Sequence, residues 1–214
     1  MAHRQRHIYL VGIMGCGKST VGKQLAQRMG YSFVDLDAWI VAREGRSVAD
    51  IFASDGEAHW RALERKWLNR LSHRFRPMVL ATGGGVVIQP ENIRRMRQSG
   101  RVVWIDRSIE DIVASIDTTK RPLLKDGSEK LHAIFAQRRP LYRKASHIRF
   151  ANPYNNAQRA AEQLQKILNS PRPSNRRRKS TPSKPKKNGA ATRPAQRNAS
   201  KRPPRKRKRN KPIE

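Results

Sequence analysis

Residues 12–19 read GIMGCGKS, which matches the phosphate-binding loop pattern G-x-x-x-x-G-K-[S/T]. An apolar run at 8–11 precedes them as a buried strand would, and apolar side chains recur at helical spacing through 19–29. Strand, glycine loop and helix N-terminus therefore follow one another in the order that binds a phosphate through backbone N–H groups. The candidate nucleotide-binding residues are Gly15, Cys16, Gly17, Lys18, Ser19 and Thr20.

Two side chains of this loop are expected to contact the phosphates and the metal ion of a bound nucleotide. We expect Lys18 to reach the β- and γ-phosphates of a nucleotide, and the Ser19 hydroxyl to ligate Mg²⁺. The alternative is a glycine-rich turn with an incidental lysine. The flanking strand and helix patterns favour the phosphate loop over that alternative.

Apolar strands alternate with helical patterns along residues 1–169, which predicts one α/β domain. Its fold is expected to be a three-layer α/β/α P-loop fold around a central parallel sheet of about five strands. The predicted strands are 8–11, 31–35, 78–81, 102–105 and 147–150. We interpret 115–128 as a mobile loop, and we expect Pro140 to end or kink the helix that begins at 129.

Basic residues dominate the chain and are concentrated at its end. Of 47 Lys and Arg residues, 18 lie in 170–214 beside a single acidic residue, so this segment carries a net charge of +17. Its composition buries too little apolar surface to offset the entropy of ordering, which predicts a disordered tail. Such a tail is typical of a polyanion-binding arm, for example for nucleic acid. The alternative is a solvated tail without a partner.

Cysteine usage and hydropathy argue against a disulfide-stabilised protein and against a membrane-spanning protein. Cys16 is the only cysteine, so no disulfide forms within the chain, and a reducing cytoplasm is the expected location. No apolar stretch approaches the roughly 18–20 residues of a membrane span. The N-terminus has no signal-peptide pattern, and we expect no membrane association.

Residues for a phosphoryl acceptor are expected where the strands end, since ligands bind there in open α/β sheets. Asp35 and Asp37 end the second strand, and the triple glycine 83–85 ends the third. Three arginines elsewhere could clamp a carboxylate or phosphate, namely Arg61, Arg121 and Arg138. Each feature also has a plainer interpretation: a helix cap for Asp35, a simple turn for the glycines, and solvated helix positions for the arginines.

The joint pattern of these motifs resembles the shikimate kinase family over about residues 6–168. Beyond the phosphate loop, the resemblance rests on Asp-x-Asp at 35–37, the Trp-Arg-x-x-Glu run at 60–64 and the triple glycine at 83–85. It continues with Arg-Pro-Leu-Leu at 121–124 and Arg-Arg-Pro-Leu-Tyr at 138–142. Many NTPases share the loop, whereas the other motifs together are specific to this family.

The resemblance implies an ATP-dependent kinase that phosphorylates the 3-hydroxyl of shikimate, in chorismate and aromatic amino acid biosynthesis. On the nucleotide side, it implies that Lys18 and Arg121 act on the transferring phosphoryl group. It also implies that Ser19 and Asp35 hold Mg²⁺, and that residues around Arg121 form a lid at about 115–128 that closes over ATP.

On the acceptor side, the resemblance implies that Asp37 contacts the reacting hydroxyl and takes its proton. Arg61 and Arg138 would bind the shikimate carboxylate with help from the backbone of Gly84 and Gly85. Glu64 would orient Arg61 or bind a substrate hydroxyl. We expect a monomer that binds shikimate and ATP.

Some positions depart from the family pattern. Many members carry an arginine near position 114 that stacks on adenine, where this chain has Ala114. Trp60 replaces the usual phenylalanine, and 143–144 are basic where the family tends to be acidic. Two alternatives stay open: a kinase for another small hydroxy acid such as gluconate, and a nucleic-acid-binding protein with a nucleotide- or metabolite-sensing kinase-like domain.

Overall fold

The structure is a computed structural model that describes residues 6–115 and 128–170. Five strands form one sheet in the order β2-β3-β1-β4-β5, and every neighbouring pair is parallel. They are β1 (His7–Val11), β2 (Ser32–Asp35), β3 (Met78–Ala81), β4 (Gly100–Asp106) and β5 (Ile148–Ala151). The predicted α/β fold with a parallel sheet of five strands is therefore confirmed.

Helices join the strands in the described part of the chain. They are α1 (Lys18–Met29), α2 (Leu36–Glu44), α3 (Val48–Ser72), a 3-10 turn (Val86–Ile88), α4 (Pro90–Ser99), α5 (Ile109–Ser115), α6 (Ser128–Ala145) and α7 (Ala157–Asn169). Helix α1 packs against α7, whereas α4 packs against α3 and α6. The two groups of helices cover the central sheet, because parallel strands are connected by crossover helices that lie on its faces.

Local sequence signals set several helix ends. Ser47 and Asp50 form the capping box that begins α3, since each side chain accepts a hydrogen bond from the backbone N–H of the other. Gly56 interrupts α3 with a φ of 79° and a ψ of 173°, so α3 is one segment with a kink at this glycine. Ser108 caps α5 by accepting from the Asp111 N–H at 3.0 Å.

Pro140 does not end its helix, because α6 continues to Ala145. The reason lies in the packing of the last turns. Tyr142 is fully buried, and its ring stacks on Trp104 of β4 with centroids 6.1 Å apart. Burial of such a side chain favours a continued helix over the break that proline alone would predict.

The core is centred on β1, β3 and β4, whose apolar side chains are almost completely buried. In the edge strand β2, Val34 is buried, Phe33 and Asp35 are partly exposed, and Ser32 is exposed. This arrangement leaves the carboxyl ends of β1, β2 and β3 side by side at one edge of the sheet. Within the described residues, no helix is both long and apolar enough to cross a bilayer.

Candidate active site

The phosphate-binding loop joins β1 to α1 and is shaped by its glycines. Gly15 and Gly17 have φ values of 80° and 95°, and Gly17 is the N-cap of α1. These left-handed conformations suit glycine because other residues would be strained in them. A Cβ atom at Gly12 would lie 2.6 Å from the Ile105 carbonyl oxygen, so only glycine fits beside β4.

Lys18 is buried in this loop and folds back over it. Its Nζ donates hydrogen bonds to the carbonyl oxygens of Gly12 at 3.0 Å and Ile13 at 2.9 Å. The Cys16 Sγ lies 3.8 Å from the same nitrogen, and Thr20 donates its hydroxyl to the Gly17 carbonyl at 3.0 Å. The ammonium is held by neutral carbonyls, so its positive charge is available to an anion in the loop.

Ser19 and Asp35 meet between the loop and the second strand. The Ser19 hydroxyl donates to Asp35 Oδ2 at 2.5 Å. The other oxygen, Asp35 Oδ1, accepts from the backbone N–H groups of Asp37 at 3.2 Å and Ala38 at 3.3 Å, which caps α2. The helix-cap interpretation of Asp35 is therefore confirmed, and the other oxygen of the carboxylate faces the phosphate loop.

Asp37 lies in the first turn of α2 beside a second carboxylate, Glu64. Among the described residues, Asp37 Oδ1 and Glu64 Oε1 are buried and have no hydrogen-bond partner. A Cβ atom at Gly83 would lie 2.5 Å from Glu64 Oε1 and 2.7 Å from Asp37 Oδ1. The glycine at 83 therefore makes room for two buried acids at the end of β3.

Burial sets the protonation of these two acids. The pKa of Asp37 is raised to about 6, chiefly by burial. The nearby negative charges of Glu64 and Asp35 also raise this pKa, and they outweigh the positive charges of Lys18 and Arg61, which lower it. Burial also raises the pKa of Glu64, although the Arg61 guanidinium opposes that shift. A carboxylate with a pKa close to neutral is suited to accept a proton from a substrate hydroxyl.

Arg61 is held by two carboxylates of its own helix. Its Nη1 donates to Glu64 Oε2 at 2.6 Å, while its Nη2 and Nε donate to Glu57 Oε1 at 2.7 and 3.1 Å. Only 12% of the Arg61 side chain is exposed. A Cβ atom at Gly85 would overlap the guanidinium, so glycine at 85 allows the backbone to approach this arginine.

Arg138 also approaches the triple glycine, and it comes from α6, which follows the glycines along the chain. Its Nη1 lies 3.7 Å from the position of a Cβ at Gly84, and its Nε is buried without a hydrogen-bond partner in the described residues. The Tyr142 hydroxyl donates to the Gly84 carbonyl oxygen at 2.7 Å. The triple glycine thus brings backbone, Arg61 and Arg138 together with Asp37.

Two groups that sequence reasoning missed belong to this site. Glu57 orients Arg61, and its i,i+4 spacing to that arginine is a signal that could have found it. Tyr142 fixes Gly84 through one hydrogen bond that spans 58 residues, which no local pattern predicts. Arg121 and most of the predicted lid lie outside the described residues.

A separate pocket of about 210 Å³ opens beside the phosphate loop. Its lining includes Gly17, Thr20, Arg107, Asn152 and Tyr154. The Arg107 guanidinium donates to the side-chain oxygen of Asn155, which is also in the lining. An aromatic ring and a guanidinium at this position could face a nucleotide base.

Comparisons with known proteins agree with this arrangement. A family model described as shikimate kinase matches residues 14–169. The shikimate kinase of Parasynechococcus marenigrum is 48% identical over 144 residues, which cover 65% of this chain and 74% of that protein. The shikimate kinase of Persephonella marina is 40% identical over 141 residues, which cover 65% of this chain and 85% of the relative.

The fold comparison gives the same family. The structure of shikimate kinase from Acinetobacter baumannii in complex with shikimate has a TM-score of 0.71 and 35% sequence identity. It covers 76% of this chain and 92% of that protein. With the phosphate loop, the paired acids and the two arginines in their places, this chain belongs to the shikimate kinase family.

Proposed function

We propose that this chain transfers the γ-phosphoryl group of ATP to the 3-hydroxyl of shikimate, giving shikimate 3-phosphate and ADP. Its product would feed chorismate and aromatic amino acid biosynthesis. The observation that carries the proposal is the convergence of Asp37, Arg61 and Arg138 on the triple glycine, beside the phosphate loop. The similar protein from Acinetobacter baumannii was solved with shikimate, which supports this acceptor.

The acceptor side binds a carboxylate and activates a hydroxyl. Arg61 and Arg138 bind the carboxylate of shikimate, because guanidinium groups donate paired hydrogen bonds to it. Gly84 and Gly85 lie next to these arginines, and their backbone N–H groups would add donors. Asp37 accepts the proton as the substrate oxygen bonds to the γ-phosphorus and the bond to the ADP oxygen breaks.

The nucleotide side positions the phosphates and balances their charge. Lys18 turns from the carbonyls of Gly12 and Ile13 towards the β- and γ-phosphates, where it stabilises charge in the transition state. Arg121 contributes a second positive charge from a lid at about 115–128, which closes over ATP and excludes water. Phosphoryl transfer depends chiefly on such positioning and charge stabilisation.

Mg²⁺ fits the oxygen donors of Ser19 and Asp35. The Ser19 hydroxyl lies 2.5 Å from Asp35 Oδ2, and Mg²⁺ is commonly held by one or two oxygen side chains together with substrate phosphates. When bound there, the metal would neutralise phosphate charge. Asp35 would keep its capping bonds to α2 through Oδ1.

We place adenine in the pocket beside the loop. Gly17 and Thr20 connect this pocket directly to the phosphate site. Arg107 and Tyr154 would contact the base, and they would take over from the arginine that many relatives carry near the position of Ala114. This assignment gives the chain its own set of adenine contacts.

The domain boundary and the tail remain proposals. Residues 1–169 would be the kinase domain, and 170–214 a disordered arm that binds nucleic acid or another polyanion through its net charge of +17. The enzyme would act as a monomer in the cytoplasm, to which the single cysteine points.

One assay tests the reaction. ADP release from ATP is measured with shikimate, with gluconate and without acceptor, for the full chain and for Lys18→Ala. We expect turnover with shikimate alone, and its near abolition in the variant, because the loop loses its only buried cation. Failure of shikimate to stimulate ADP release would refute the proposal, while stimulation by gluconate would support the other acceptor.

A further inference from the structure

A basic groove runs between α3 and α4, and the proposed reaction does not use the residues that line it. It measures about 720 Å³. Side chains at i, i+3, i+4 and i+7 of each helix line it, and all of these are polar except Ala62 of α3. The polar lining consists chiefly of Arg65, Lys66, Asn69, Arg94, Arg95 and Gln98.

The cations of this groove are not neutralised by the protein. In the described residues, no carboxylate forms an ion pair with Arg65, Lys66 or Arg94, and all three side chains are exposed. Arg95 Nη1 lies 3.5 Å from His73 Nε2, and the imidazole ring supplies no negative charge to balance the arginine. Glu91 is the one acidic residue in the lining. Like charges collected in a concave surface raise the local concentration of an anion.

The positive surface continues beyond the groove. Trp39 and Trp67 pack edge to face with centroids 6.3 Å apart, and cations lie over their rings. These cations are Arg43, Lys66, Arg70 and Arg74, at 4.4 to 5.5 Å from a ring centroid. Lys66 belongs to both groups, so the groove and the tryptophan cluster form one continuous basic face.

The length of this face fits a polymer better than a single small anion. From Arg65 to Arg70, α3 rises about 7.5 Å at 1.5 Å per residue, and Arg74 extends the face beyond the end of the helix at Ser72. Successive phosphates of a nucleic acid strand lie about 3.4 Å apart along the axis in a duplex and farther when the strand is extended, so the face spans several of them. A groove between packed helices, whose axes lie about 8–10 Å apart, admits one strand but not a duplex.

We propose that the groove between α3 and α4 binds the phosphate backbone of single-stranded nucleic acid. Binding is independent of base sequence, because the cations of the groove contact phosphate. The two tryptophans do not stack on bases, since Trp67 is only 8% exposed and cations cover both rings. This inference does not rest on the proposed kinase reaction. It also assigns binding to the folded domain, separately from the basic segment 170–214.

The test compares two variants of the full chain that remove the same charge. Arg65→Gln with Arg94→Gln removes two cations from the groove, and Lys23→Gln with Arg159→Gln removes two exposed cations from α1 and α7. Binding of a short single-stranded oligonucleotide of mixed sequence is measured between about 50 and 200 mM salt. We expect the groove variant to bind about tenfold more weakly at 50 mM salt, with a salt slope reduced by about 1.4. The control variant should lose much less.

A second measurement separates the groove from the basic segment. Amine labelling of the unmodified full chain is followed with and without the oligonucleotide, and Lys66 should be protected while Lys23 is not. The Tm of the groove variant should equal that of the parent chain, which verifies its fold. Equal weakening of both variants, or an unprotected Lys66 at saturating oligonucleotide, would overturn the proposal. Protection of Lys66 by inorganic polyphosphate but not by the oligonucleotide would overturn it as well.

Discussion

Replacement of Arg61 by alanine tests the acceptor site most directly. Arg61 uses three N–H groups on two carboxylates, and it is only 12% exposed. In the complex we expect it to share its fork with the substrate carboxylate. A hydrogen bond to a charged group contributes about 1.5–3 kcal/mol. Since about 1.4 kcal/mol corresponds to a factor of ten, the KM for shikimate should rise about ten- to hundredfold.

The separate effects of the substitution on kcat and on KM show whether Arg61 binds the substrate carboxylate. A carboxylate far from the reacting hydroxyl is bound equally in the ground and transition states, so kcat should change little. Arg61→Lys should recover only part of the affinity, because lysine keeps the charge but loses the planar fork. The KM for ATP is the internal reference and should stay constant. An unchanged shikimate KM in Arg61→Ala would refute the assignment of the clamp.

Removal of Arg61 also leaves Glu64 buried without its cation, so stability must be measured alongside. The side chain of Glu64 is 0% exposed, and an unpaired charge at such a position is costly. We expect a lower Tm for Arg61→Ala, with partial recovery in Arg61→Ala combined with Glu64→Gln. If the Tm recovers while the shikimate KM stays high, the KM effect cannot be attributed to unfolding.

Further predictions concern three residues at the same edge of the sheet. Because the pKa of Asp37 is raised to about 6, kcat/KM for shikimate should fall as the pH drops below 6. Asp37→Asn should lose roughly 10²–10⁴-fold in kcat at neutral pH. A flat profile of kcat/KM between pH 5 and 7 would argue against Asp37 as the base. The same raised pKa means that the Asp37 charge opposes folding above pH 6, so Asp37→Asn should raise the Tm at pH 8 but not at pH 4. Gly83→Ala should destabilise the fold by about 1–3 kcal/mol in denaturant unfolding, since its Cβ would lie 2.5 Å from Glu64 Oε1; unchanged stability would mean that the two acids move apart freely. Tyr142→Phe should cost about 1–3 kcal/mol and raise the shikimate KM, because the buried hydroxyl no longer holds the Gly84 carbonyl; a normal KM with lowered stability would limit Tyr142 to a structural role.

The sequence predicted the parts of the site that are local along the chain. Lys18 and Ser19 followed from one motif of eight residues, and the strand and helix around them followed from hydrophobic period. In each case the physical cause acts between near neighbours.

Contacts between distant segments were not predictable in this way. Arg61 and Arg138 approach the same glycines, although 77 positions separate them, and only the family resemblance linked them in advance. The extension of α6 past Pro140 depends on the burial of Tyr142 against Trp104, a tertiary effect that overrides the local preference of proline. The pocket beside Gly17 is likewise assembled from four separate segments.

The hydrogen bonds that the two carboxylate oxygens of Asp35 accept affect how mutants of this protein are interpreted. Through one oxygen this residue contacts Ser19 at the start of α1, and through the other it begins the helix that carries Asp37. Asp35→Ala therefore changes the phosphate side and the acceptor side at once, and the loss of the cap alone costs about 0.5–2 kcal/mol. Asp35→Asn keeps a side chain that caps helices well but removes the negative charge. The defect of Asp35→Asn relative to the parent chain therefore reports on the metal ligand, and the additional defect of Asp35→Ala reports largely on the cap. A defect in Asp35→Ala taken alone would assign to chemistry what partly belongs to the architecture of α2.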